Sequence, residues 1–137
     1  MKVVKSIVDD NVILGIIIGL DDFEQGTNFY GSRAEAIQVA TFKHDKGKLL
    51  RNHRHIKRVR EISKTQEVLI VLEGSCEIRV FDIDDKQAFV GVLGRGDLFI
   101  SYYGGAGYTV LSEDTYMVES KVGPYEVTND DEDRVLI

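Results

Sequence analysis

Short β-branched apolar runs follow one another at intervals of roughly ten residues, each closed by a cluster that favours a tight turn. Asp9-Asp10-Asn11, Glu73-Gly74-Ser75, Asp84-Asp85-Lys86, Gly94-Arg95-Gly96-Asp97, Gly104-Gly105-Ala106-Gly107 and Ser112-Glu113-Asp114 supply these stops. Such residues accept positive φ or bond their own backbone. The rhythm is that of an all-β sandwich or barrel, with strands predicted over 2–8, 12–20, 35–43, 48–55, 66–73, 76–83, 87–93, 98–102, 107–112 and 115–122. Segment 21–34 has no clear period and reads as a loop with one helical turn. The acidic tail, 126–137, is expected to lie over the surface, anchored by Val135, Leu136 and Ile137.

The chain has 137 residues, 43% hydrophobic and 29% charged, which suits one domain over 1–137. A single cysteine, Cys76, rules out an internal disulfide, and no basic apolar leader opens the sequence. A reduced, cytoplasmic protein is expected. The longest apolar run, Val12 to Ile18, falls well short of the roughly 20 residues of a membrane helix. It reads as a core strand, and no membrane partner is expected.

A formal net charge of −6 argues against a general nucleic-acid binder. Charge is segregated, however. Residues 43–64 carry nine Lys and Arg against Asp45 and Glu61, about +7 in a chain whose remainder is about −13. Two histidines, His53 and His55, sit inside this basic window.

A small sheet protein fills its interior with alternate side chains, so inward polar groups are costly unless paired or ligand-bound. On a strand over 48–55, Arg51, His53 and His55 would share one face. Two such imidazoles form a two-point chelate. Glu67 opens the apolar run Glu67 to Gly74, a pattern of a strand buried on both faces, where a carboxylate needs a partner. Two imidazoles and a carboxylate with open positions suit zinc, manganese, iron or nickel.

Gly47-x5-His53-x-His55, followed by Glu67-x6-Gly74, resembles the first motif of the cupin family. Gly96-Asp97-Leu98-Phe99-Ile100 followed by Gly104-Gly105 resembles the second. The likeness covers about residues 35–122, leaving an N-terminal hairpin over 2–20 and a tail over 123–137. Gly104-Gly105-Ala106-Gly107-Tyr108 and Glu119-Ser120-Lys121-Val122-Gly123-Pro124-Tyr125 are similar to a bacterial subgroup associated with surface-polysaccharide and nucleotide-sugar genes. The resemblance implies a single-domain jelly-roll barrel with His53, His55 and Glu67 as metal ligands.

Two departures stand out. Eleven residues separate His55 from Glu67, more than cupins usually have, and Ala106 stands where the family's further histidine is expected. The resemblance thus leaves a partial divalent-metal site, unless Glu119 or His44 takes the fourth place, or a barrel that has lost its metal. Glu119 and Lys121 share strand parity with Met117, and the resemblance turns them to the pocket, where they could serve proton transfer. Arg51, Arg58 and Arg60 offer forked donors for an anion such as a nucleotide-sugar diphosphate. Alternatively, the basic window is a solvated hairpin that protects an edge. Tyr102 and Tyr108, beside the glycine-rich turn, are candidates for stacking on a sugar, although aromatics there commonly pack.

Three functions follow: a nucleotide-sugar isomerase or epimerase with His53 or His55 as acid/base, a metal-dependent cupin enzyme, and a non-catalytic carbohydrate-binding or regulatory barrel. Fold alone does not separate them. The apolar run Val12 to Gly19 is richer than a lone edge strand should be, which predicts a homodimer.

Overall fold

A computed structural model describes residues 1–123 and Ile137. Among the described residues ten strands follow in order: β1 (Lys2–Lys5), β2 (Ile13–Ile18), β3 (Gly26–Tyr30), β4 (Val39–Lys43), β5 (Glu67–Glu73), β6 (Ser75–Phe81), β7 (Gln87–Gly94), β8 (Leu98–Ser101), β9 (Gly105–Val110) and β10 (Tyr116–Lys121). One 3-10 turn, Leu20–Asp22, follows β2. Every pairing is antiparallel. The strands divide into a five-stranded sheet ordered β1-β2-β8-β5-β10, a three-stranded sheet ordered β7-β6-β9, and a β3-β4 ribbon. The chain is an all-β single domain of antiparallel sheets.

Alternation sets the layers. In β6, Cys76, Ile78 and Val80 are fully buried while Glu77 and Arg79 turn outward. These inward residues meet Leu69 and Val71 of β5 and Phe99 of β8, forming a core between the five-stranded and three-stranded sheets. The opposite face of the five-stranded sheet presents Ile16, Ile18, Val68, Leu98 and Ile100 to a second core, covered by Tyr30, Ile37 and Val39 from the ribbon and its loop. Strand β8 is therefore buried along its whole length, because it is covered from both sides. Each large aliphatic or aromatic side chain so placed contributes about 1.5–3 kcal/mol.

The richness of β2 has the same cause. It lies between β1 and β8 within one chain, with Leu14, Gly15, Ile16 and Ile18 buried. Its apolar character needs no second subunit. Gly15 is required by packing, since a Cβ there would stand 2.6 Å from Phe99 Cζ and 2.5 Å from the Ile100 carbonyl oxygen.

Two polar clips tie loops to the sheets. The Ser6 hydroxyl donates to Asp82 Oδ2 at 2.6 Å, the Ile7 amide donates to the same oxygen at 2.8 Å, and the amides of Val8 and Asp9 donate to Ser6 Oγ. Buried Gln66 accepts from the Ile37 amide at 3.0 Å and donates to Glu35 and to the Tyr102 carbonyl, holding the 31–38 loop against the sheet.

Most strands lie within a few residues of expectation, and the single helical turn is present. Two differences matter. Segment 48–55 is not a strand: nothing from 44 to 66 belongs to a helix or strand. Strand β3 is unforeseen, because Gly-Thr-Asn-Phe-Tyr turns its phenylalanine outward and hides the alternation. The expectation for the tail, 126–137, lies outside the described residues except at Ile137, which sits beside Gly105.

Candidate functional site

Antiparallel register brings three charged residues to one end of the inner face. Glu67 begins β5 and Lys121 ends β10, and the two are directly paired. Glu119 pairs with Leu69, and Met117 pairs with Val71. Directly paired residues share a face. Leu69 and Val71 point into the inner core, so Glu67, Glu119 and Lys121 point the same way. The Lys121 ammonium lies 3.9 Å from Glu119 Oε1.

Strand β9 closes the same end. Tyr108 pairs with Ile78 and Ala106 with Val80 of β6, and both pack against the inner core. The Tyr108 hydroxyl is pushed well above the usual phenol range, first by burial and then by the negative charges of Glu67 and Glu119. The phenol thus holds its proton, which leaves an O–H to donate. Gly104 begins the turn into β9 with φ +74, and a Cβ there would collide with the Phe81 carbonyl oxygen. The glycine lets β9 approach β6 at this point.

Glu119 and Lys121 keep 43% and 27% of their side chains exposed. An ion pair this open adds little to stability. It stands on the inner face beside Tyr108 and a second carboxylate, Glu67.

The other candidate residues lie elsewhere. Tyr102 shares the parity of Leu98 and Ile100 and is buried in the second core, on the opposite face of the sheet from Tyr108. Its hydroxyl is pushed up to about 12, by burial and then by the Glu35 carboxylate, and has no hydrogen-bond partner among the described residues. Such a residue packs rather than stacks on a ligand.

Arg51, His53, His55, Arg58 and Arg60 lie on the exposed loop. The His53 and His55 rings stand edge to face, with centroids 5.2 Å apart, and His53 Nδ1–H donates to the Arg51 carbonyl at 3.0 Å. The shared strand face expected for Arg51, His53 and His55 is absent because no strand forms there. Among the described residues, no group of three or more His, Cys, Asp or Glu is gathered closely enough to hold a metal ion. His53, His55 and Glu67 thus do not make one ligand set as placed. His44 is engaged with Thr27 Oγ1 at 3.0 Å through Nε2.

One contact unforeseen in the sequence ties the loop to this end of the molecule. Lys64 Nζ sits 4.2 Å from the centroid of the Tyr103 ring, which packs against the inner core. Two open grooves lie away from the inner face. One, of about 510 Å³, holds Asp22 and Asp97. Two of its carboxylates are engaged, Asp22 with the Gly19 amide and the Met1 ammonium and Asp97 with the Gly94 amide. The other, of about 410 Å³, is mostly apolar and runs between the ribbon and the sheet, past Phe23, Phe42, Ile70 and Leu98. Comparison with family models, curated protein sequences and solved structures finds no match to this chain.

Proposed function

We propose that the chain is a cupin-type protein that binds a sugar-type ligand with an anionic group at the inner end formed by β5, β9 and β10. The observation that carries this reading is the meeting of Tyr108, Glu67 and Glu119 on inward faces, with Lys121 3.9 Å from Glu119. Carboxylates and a phenol that keeps its proton suit the hydroxyl groups of a sugar, as acceptors and donor respectively. Lys121, with Lys64 at the rim, suits a phosphate or carboxylate on the same ligand.

The reaction class open to these groups is proton transfer beside a carbonyl, the step of an isomerase or epimerase. Glu67 or Glu119 would take the proton and Tyr108 would donate to the developing oxyanion. His53 and His55, on the exposed loop, have no part in this step. No step is routed through a metal, because the residues present do not form its ligand set.

Thermal-shift measurements with nucleoside diphosphate hexoses, free hexoses and sugar phosphates test the proposal. A rise in Tm with a phosphorylated sugar, lost in both Lys121→Met and Glu119→Gln, is expected. No rise with any of these ligands, or a rise that both variants retain, contradicts it.

A further inference from the structure

Every side chain from Asp45 to Thr65 is exposed, and none of these residues belongs to a helix or strand. A structureless loop of this length is uncommon in a compact domain and is commonly functional. Its composition is unusual for a solvated loop. Eight Lys and Arg stand against Asp45 and Glu61, and between them lie Leu49, Leu50, Ile56, Val59 and Ile62. These aliphatics are bare: Leu49 is 77% exposed, Ile56 71% and Val59 92%. Exposed apolar surface held beside cations is costly in water and gains where apolar matter lies behind negative charge.

We propose that this loop docks the protein on an anionic lipid bilayer. Leu49, Leu50, Ile56, Val59 and Ile62 enter the boundary between headgroups and acyl chains, and the cations meet the lipid phosphates. A soluble polyanion would engage the cations and leave the aliphatics in water. Single-stranded nucleic acid would also find no aromatic platform, since residues 45–65 contain no Phe, Tyr or Trp. A bilayer requires no surface of fixed shape, so a segment without helix or strand can present its aliphatics to it. The remainder of the chain, at about −12, is repelled by such a surface, so charge orients the molecule with the loop foremost.

No apolar run is as long as a membrane helix needs, and among the described residues no helix is long and apolar enough to cross a membrane. Docking of this kind needs neither. It also stands apart from the ligand proposal, whose groups lie on β5, β9 and β10 with only Lys64 contributed by this loop.

Flotation of the full chain with vesicles of phosphatidylglycerol and phosphatidylcholine in equal parts, against phosphatidylcholine alone, tests the inference. The protein is expected to float with the mixed vesicles only, and less at high salt. The double variant Ile56→Ser, Val59→Ser keeps every charge and is expected to bind at least about tenfold more weakly. Arg58→Ser with Arg60→Ser is expected to weaken binding as well. Because all four side chains are exposed, unchanged thermal unfolding is expected in both variants. Failure of the wild type to float with mixed vesicles overturns the proposal. So does unweakened flotation of the aliphatic variant, or tighter binding of polyuridylate than of vesicles, either of which would mark the loop as a site for polyanions held by charge alone.

Discussion

Lys121 on β10 stands directly across the strand pair from Glu67 on β5, and its ammonium lies 3.9 Å from Glu119 on its own strand. A cation is thereby set between two carboxylates on a face that is otherwise apolar further along. Residues two apart on β10 reach this face only because the register pairs Glu119 with Leu69. A slip of one residue would turn both charges outward.

Replacement of Lys121 by methionine keeps the length and apolar stem of the side chain and removes the charge. It is expected to weaken binding of a phosphorylated sugar by roughly tenfold while leaving stability nearly unchanged, because the Lys121–Glu119 pair is half-exposed. Calorimetric titration and urea unfolding of the same variant separate the two effects.

Tyr108 and Tyr102 are expected to part company. Tyr108→Phe removes a donor from the inner end and lowers ligand affinity. Tyr102→Phe removes a buried hydroxyl that lacks a partner, and is expected to be neutral or stabilising by up to about 1 kcal/mol. Tyr102→Ala opens the second core and is expected to cost about 3–5 kcal/mol. Urea midpoints of the three variants, with ligand titrations, check the assignment.

The two tyrosines also show how much the sequence revealed. Turn clusters marked where most strands end, and the parity of Glu119 and Lys121 with Met117 was readable before any register was known. Tyr102 and Tyr108, both beside the glycine-rich turn, looked equivalent in the sequence, and only the pairing of the strands puts them in different cores. What one sequence could not supply was the pairing that sets β10 beside β5 and β9 beside β6, since partner choice depends on contacts distant along the chain. The one-residue spacing of His53 and His55 suggested a strand, but spacing without apolar alternation fits a coil as well, and the exposed aliphatics of the loop have no strand face to fill.

Asp82 carries a pH prediction. The Ser6 hydroxyl, with the Ile83, Ile7 and Val8 amides, holds its carboxyl below the ordinary value of 3.8, although burial opposes them. A carboxylate with a depressed folded value stabilises the protein above its unfolded value, and that contribution is lost as pH falls through the folded value. Stability should therefore drop as pH is lowered below about 3.8. Asp82→Asn should be less stable near neutral pH and show a shallower acid decline. Urea midpoints measured from neutral pH downward check both points.

Gly15→Ala places a methyl group against the Phe99 ring and the Ile100 carbonyl. Overpacking of this kind is expected to cost about 1–3 kcal/mol. Gly47→Ala, where a Cβ would meet nothing within 4 Å, tests loop backbone conformation alone, because φ there is +86. Denaturant unfolding should show the larger loss for Gly15→Ala.

Ligand binding at the inner end of β5, β9 and β10 is checked on isotope-labelled protein titrated with the phosphorylated sugar that gives the largest thermal shift, read through backbone amide resonances. Saturable shifts concentrated at Glu67, Tyr108, Glu119 and Lys121 and their strand neighbours are predicted. Shifts confined to residues 45–65, or none at saturating ligand, would contradict it.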